Sequence, residues 1–225
     1  MSPTRRPVAE TRELLVAAAI RVIARQGLAA SSTRAITAEA GVPLSSFHYA
    51  FESYDHLIDH LIETVVSGER SAGLAATDLP PDAEHDLEAI VHAGIVQYVH
   101  LLFAQPEHEQ AMLELSAHLL RTPGLEHRAR DQYAAYYASA EAALRRGTAL
   151  TGRRWSLPVG RVARLLVLLT DGITTTWLAD RDSASALEAA RFAAASLVQL
   201  AEPPLAELVA SASAPPVARL RGVAP

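Results

Sequence analysis

Two clusters of histidine and carboxylate raise the first chemical question. In "DHLIDH", residues 55–60, His56, Asp59 and His60 fall at i, i+3 and i+4, so a helix would place all three on one face where they could bind a metal. His108, Glu114 and His118 raise the same possibility. A solvated helix surface accounts for both groups more simply. No H-E-x-x-H motif, nucleophile elbow or glycine-rich phosphate loop accompanies them. The chain has no cysteine, which excludes disulfides, thiolate metal sites and a thiol nucleophile. We therefore assign no catalytic residue, no metal and no cofactor. The chain is expected not to be an enzyme; the competing reading is a helical metal-dependent enzyme built on the histidine clusters, which bound zinc or iron in the purified protein would support.

A second stretch asks for different chemistry. "GVPLSSFHYAFESYDHL", residues 41–57, places hydroxyl and aromatic side chains directly after a glycine turn. The elements around it explain why. Residues 14–25 are amphipathic, with Leu15, Ala18, Ala19, Val22 and Ile23 at the i, i+3, i+4, i+7, i+8 spacing of one helical face. Gly27 suits the C-terminal stop of that helix. Ser32 can cap a second helix, residues 33–40, which Gly41 ends. Pro43 fits the first turn of a third, residues 43–50. A fourth starts near Tyr54 and continues through Leu57, Ile58, Leu61, Ile62 and Val65.

Helices two and three with their glycine turn read as a helix-turn-helix, in which the second helix enters the DNA major groove and exposes its side chains there. Ile36, Ala40, Val42, Phe47 and Phe51 then point inward, which leaves Leu44, Ser45, Ser46, His48 and Tyr49 outward. Small hydroxyl residues permit close approach to base edges and can bond phosphate. A short helical hairpin capping a core is the alternative.

Charge alone would not suggest this partner. The 225-residue chain carries a formal net charge of −5. Residues 1–55 hold six arginines against five acids, a mild local excess of cations, and the chain contains no lysine. Half the residues are apolar but only 5 % are aromatic, and alanine and leucine dominate, which favours helices. The start lacks a signal-peptide pattern, and Arg164 and Asp171 interrupt the most apolar stretch, so we expect a cytoplasmic protein without a membrane span.

Beyond the breaker run "TDLPPDAE" the pattern is again all-helical. One helix carries Leu87, Ile90, Val91, Gly94, Tyr98, Leu101 and Leu102 and ends at Pro106. The next carries Met112, Leu115, Leu119 and Leu120. A long one runs from Leu125 to about Arg146, and "GTALTGRRWSLP" reads as a loop. No segment shows strand alternation. The final pair, residues 159–179 and 184–201, is unusual. "LLVLL" makes the first apolar nearly all round. The second has one face of Leu187, Ala190, Ala194, Leu197, Val198 and Ala201, and another of Ala189, Ala193, Ser196 and Leu200. Two apolar stripes imply burial on two sides, which suits a bundle shared by two subunits, with a helix central to a monomer as the alternative.

The segment "LLVAAAIRVIARQGLAASSTRAITAEAGVPLSSFHYAFESYDHLI" resembles the N-terminal domain of the TetR family of bacterial transcriptional regulators over roughly residues 11–62. "DGITTTWLAD" resembles that family's penultimate helix. The resemblance implies an all-α protein, with a three-helix DNA-binding head at residues 1–53, a ligand-binding and dimerisation domain at 54–203 and a proline- and alanine-rich tail at 204–225. It implies a homodimer, paired through the last two helices, bound to a palindromic double-stranded DNA operator and released by a small-molecule effector.

The residues expected at DNA are Ser32, Thr33, Arg34, Pro43, Leu44, Ser45, Ser46, His48, Tyr49 and Tyr54. Candidates for the effector pocket are His92, Tyr98, His118, Tyr133, Tyr137, Thr174 and Trp177, a set that suits a ligand with a carboxylate, phenol or carbonyl. Some positions depart from the family. Thr37 replaces a common alanine, His48 a tyrosine, Ala50 an aromatic or histidine, and Tyr54 a phosphate-contacting lysine. Arg34 and an Arg5/Arg6 arm are expected to supply the missing charge, so binding should weaken as salt rises. A helical dimer whose head no longer binds DNA is the remaining alternative.

Overall fold

The computed structural model describes residues 7–75 and 86–202. The Arg5/Arg6 arm, the breaker run and the tail from residue 204 lie outside the described residues. The order is α1 (Val8–Gln26), a 3-10 turn (Leu28–Ala30), α2 (Thr33–Glu39), α3 (Leu44–Ala50), α4 (Tyr54–Ala75), α5 (Leu87–Ala104), α6 (Pro106–Arg121), α7 (Glu126–Thr151), β1 (Arg154–Trp155), α8 (Val159–Asp180), α9 (Ser183–Val198) and β2 (Ala201–Glu202).

Local chemistry sets the head. The stripe of α1 is buried, and the Gly27 N–H closes the helix on the Ile23 carbonyl at 2.9 Å. Ser32 Oγ accepts from the Ala35 N–H at 3.2 Å and starts α2. Gly41 makes the turn with a φ of 66°, a left-handed conformation that side chains with a Cβ rarely adopt. Pro43 stands one residue earlier than expected: it is the N-cap of α3, outside the first turn. Phe47 and Phe51 pack with tilted rings, centroids 5.9 Å apart, on the buried side.

Two hydrophobic cores follow. One joins the head to α4, α6 and Ala129 of α7, through Leu57 and Leu61 of α4 and Ala111, Met112, Leu115 and Leu119 of α6. The boundary expected at residue 53 therefore falls in a turn of the chain, while apolar packing runs straight across it. The other core joins α5, α8 and α9 with Leu144 of α7. Gly147 lets α7 approach α5 closely, since a Cβ there would meet Leu87 Cδ1 at 3.3 Å. Two helices, α5 and α8, are long and apolar enough to cross a membrane. In the fold they supply Ile95, Val99, Val162 and Ile173 to this second core.

Several expectations need correction. Helix α7 runs to Thr151, so the first five residues of "GTALTGRRWSLP" are helical. Arg154 and Trp155 pair antiparallel with Glu202 and Ala201. A two-residue strand is too short to show alternation, and its partner lies far along the chain. Leu120, placed on the inner stripe of α6, is 67 % exposed. The small-residue face of α9 is not free either. Ala193 is buried in the protomer's own core, and Ala189, Ser196 and Leu200 are half-buried. The open apolar side chains of this pair are Leu165 and Leu168 of α8 and Phe192 of α9.

Candidate functional sites: an exposed helix and an acidic cavity

Helix α3 presents Leu44, Ser45 and His48 to solvent, with Ser46 and Tyr49 half-buried beside them and Pro43 exposed at its start. Ser32 and Arg34 are exposed along α2, and Thr33 is half-buried. These residues form one surface because the opposite sides of α2 and α3 are anchored by Ile36 and Phe47. Thr37 adds no contact there. It is buried, and its hydroxyl donates to the Thr33 carbonyl at 2.8 Å, so a position commonly occupied by alanine absorbs a hydroxyl without an orphan group.

The arginines of the head divide by role. Arg12 Nε donates to the Ala50 carbonyl at 2.9 Å and its guanidinium lies 5.8 Å from the Phe51 ring, which closes the end of α3. Arg21 and Arg25 clasp Glu39 at 2.7 and 2.6 Å and hold its carboxyl below the usual range, chiefly through the Arg21 hydrogen bond. Arg34 is exposed on α2 and makes no ion pair among the described residues. Tyr54 is also internally engaged. Ser31 donates to the Leu28 carbonyl at 2.6 Å, so the Tyr54 hydroxyl donates to Ser31 at 2.5 Å, and burial pushes its pKa up. Its proton is thereby used within the head.

The histidine clusters are dispersed. Asp55 and Asp59 both pair with Arg128 of α7. His56 Nδ1 faces the Glu52 N–H at 3.5 Å, and His60 lies 3.6 Å from Glu63. Among the described residues, no three His, Asp or Glu side chains converge as a metal site.

A partly open cavity of about 140 Å³ lies where α4, α5, α6, α7 and α8 meet, between the two cores. Of the expected effector residues, Tyr98, Tyr133 and Thr174 line it. His92, His118, Tyr137 and Trp177 do not. His92 has its Nε2 buried without a hydrogen-bond partner. Tyr137 lies under the Arg164 guanidinium at 4.3 Å. Trp177 packs 4.8 Å from Phe103 and donates to Ser183, so it is a core residue. His118 stays on α6, where its carbonyl receives the Thr122 N–H at the helix end.

The cavity also contains residues that the sequence reading missed: Glu69, Glu109, Asp171, Tyr136, Ser116 and Arg70. Tyr98 shares a 2.5 Å hydrogen bond with Thr174 and lies 3.4 Å from Glu109, whose residue is 8 % exposed. Tyr133 donates to Asp171 at 3.2 Å. Burial raises the pKa of all three carboxyls, Glu69 most strongly, with the neighbouring Glu109 adding to it. Burial likewise holds Tyr98 and Tyr136 protonated and pushes Tyr133 up to about 12. A signal for the carboxylates was present in the pattern. Glu69 continues the stripe Ile62–Val65, Glu109 precedes Met112 and Leu115, and Asp171 sits between Val167 and Thr174. Each acid is in register with an inward face.

Comparison with known proteins follows the same outline. Residues 15–61 match the family described as bacterial regulatory proteins, tetR family. The chain is 27 % identical over 179 residues to the HTH-type nicotine-responsive transcriptional repressor HdnoR of Paenarthrobacter nicotinovorans, an alignment covering 76 % of this chain and 85 % of that protein. A solved member of the TetR family from Streptomyces coelicolor A3 is 27 % identical with a TM-score of 0.62, covering 84 % of this chain and 98 % of that one. The multidrug binding protein EbrR, solved with imidazole, is 26 % identical with a TM-score of 0.57, covering 90 % and 99 % of the two chains.

Proposed function

Because the chain belongs to the TetR family of bacterial transcriptional regulators, we propose that it is a DNA-binding repressor released from its operator by a small molecule held in the interhelical cavity. The observation that carries this reading is the course of α4. The helix starts at Tyr54, against the head, and contributes Glu69, Arg70 and Gly73 to the cavity. Tyr54 and Glu69 are separated by about 22 Å along one continuous rod at 1.5 Å per residue. Arg128 of α7 grips the head end of the same helix through Asp55 and Asp59. An occupant that changes how α4 and α7 pack around the cavity therefore moves the platform of α3. Release requires that the occupant favour the arrangement that fits DNA poorly.

In this reading the DNA surface comprises Ser32, Thr33, Arg34, Pro43, Leu44, Ser45, Ser46, His48 and Tyr49, with Arg34 meeting phosphate. Two copies pair through α8 and α9, where Leu165, Leu168 and Phe192 provide open apolar area, and so present two α3 helices to successive major grooves of a palindromic site. The head spans residues 1–53 and the effector and dimerisation part residues 54–203. The relatives are a nicotine-responsive repressor and a multidrug binding protein, which supports a small-molecule effector and a role on the chromosome in the bacterial cytoplasm. A gel-shift titration with the promoter beside its own gene tests the reading. We expect a discrete complex that Ser45→Asp or His48→Asp abolishes while the circular dichroism spectrum is unchanged. Absence of a complex at low salt with that promoter and with a selected random-sequence pool would refute it.

A further inference from the structure

The lining of the cavity is one-sided in charge. Glu69 from α4, Glu109 from α6 and Asp171 from α8 converge on a space whose other walls are largely apolar, among them Ile95, Met112 and Val167. Arg70, itself solvent-exposed, is the single cation among the described lining residues. Glu109 is more than nine-tenths buried, and Tyr98 donates to it at a long 3.4 Å. Tyr98 has one proton to give, and Thr174 lies 2.5 Å away on its other side. Glu69 and Glu109 lie against each other, and burial together with their mutual proximity shifts both toward the protonated form. A fold gains nothing in stability from such an arrangement, because a well-packed apolar interior would cost less.

We propose that the cavity takes a small organic cation, a single ring bearing a protonated amine, with the ammonium group held among Glu69, Glu109 and Asp171 and the ring against the apolar wall. This rests on the reading of the cavity as the effector site and specifies what that site selects. Size supports one ring, because a cavity of roughly 150 Å³ accommodates benzene. Tyrosine faces add attraction for a cation within about 6 Å of a ring centroid. A carboxylate or phenolate ligand would instead meet three acids, so the expectation of a ligand bearing such a group is reversed here. A neutral ring would bring no counter-charge to the three carboxyls.

Protons give a second signature. Burial and mutual proximity shift Glu69 and Glu109 toward the protonated form, so an arriving ammonium displaces proton from the pair and binding strengthens as pH rises. The other groups facing the pair do not mask this. Tyr98, Tyr133 and Tyr136 stay protonated, and Asp171, also raised by burial, shifts in the same direction as the pair. His108, which edges a neighbouring hollow lined by the same two glutamates, has its pKa lowered by burial and is neutral near pH 7.

Isothermal titration of the full chain with benzylamine, benzyl alcohol and benzoate separates the possibilities, because the three probes share one ring and differ in charge. We expect benzylamine to bind about tenfold or more tightly than benzyl alcohol, the equivalent of about 1.4 kcal/mol, and benzoate to bind weakest. Titration in two buffers of different ionisation heat should show proton release on benzylamine binding. Glu109→Gln should remove the preference for the amine. Glu69→Gln is the second variant should the first fail to fold, with circular dichroism as the check. Equal or tighter binding of benzyl alcohol or benzoate overturns the cation assignment and leaves the cavity as an effector site. Binding of none of the three overturns both.

Discussion

In the head, Leu15, Ile23, Ile36, Phe47 and Phe51 are almost fully excluded from solvent, and the polar groups beside them have short partners. Arg12 meets a backbone carbonyl, Arg21 and Arg25 meet Glu39, and Tyr54 meets Ser31. Around the cavity, polar groups of the same kinds are turned inward and left under-partnered: Glu69 and Glu109 lie against each other, Glu109 accepts from Tyr98 at a long 3.4 Å, and the Oε1 of buried Gln132 has no partner. The contrast separates two tasks. A reading head must present α3 in one fixed orientation, and close packing with satisfied polar groups provides that. A sensor must respond to an occupant, and a carboxyl cluster awaiting a counter-charge makes the empty and filled states differ in energy.

The widest test of this contrast is Phe47→Ala. Removing a ring buried to 1 % exposure from the head should cost 3–5 kcal/mol, roughly the span seen for such truncations, and abolish operator binding. Denaturant unfolding and gel shift read both.

Glu109→Gln tests the other side and has the opposite sign. Glu69 and Glu109 are both held above their ordinary value of 4.5, so above that pH the folded state binds more protons than the unfolded state. Their contribution is therefore complete below 4.5 and is lost as pH rises through the raised folded values. The variant should raise Tm near neutral pH by about 2–4 °C, the shift that ~1 kcal/mol produces in a chain of this size, and leave Tm unchanged in acid. A lower Tm for the variant at neutral pH would mean that the carboxyl pair is stabilising and the contrast is wrong.

Ser32→Ala removes the side-chain acceptor that starts α2 and should cost about 1 kcal/mol, read by thermal melting. The smallest effect belongs to Arg34→Ala, which should leave Tm within error and lower the slope of log affinity against log salt by about one, measured by operator titration. An unchanged slope would remove Arg34 from the phosphate contacts.

Much of the head was legible because its determinants are local. The stripe of α1, the cap at Ser32, the turn at Gly41 and the Phe47–Phe51 pair all act within a few residues, and the structure places each where its spacing implied. The exceptions are instructive. Tyr54 stood where a phosphate contact was expected, but Ser31, 23 residues earlier in the chain, takes its proton. The apparent arginine excess of the first 55 residues was misleading for a similar reason, since three of those cations serve α2 and α3.

The cavity was legible only in part. Tyr98, Tyr133 and Thr174 were expected and do line the cavity, whereas Trp177 and Tyr137 carry equally suggestive side chains and are held elsewhere by Phe103 and Arg164. An acid in register with an apolar stripe shows that the charge faces inward, but not what it faces.

From the residues alone came the helices, most of their ends, the exposed side chains of α3 and the family resemblance. Helical periodicity, capping and turn geometry are properties of neighbours in sequence, so they can be read without a fold. The convergence of Glu69, Glu109 and Asp171 on one space, the burial of Ala193 within its own protomer and the pairing of Arg154 with Glu202 required the tertiary structure. Each depends on how separate helices cross and on what long-range packing brings opposite a given side chain, and no local pattern encodes that distance.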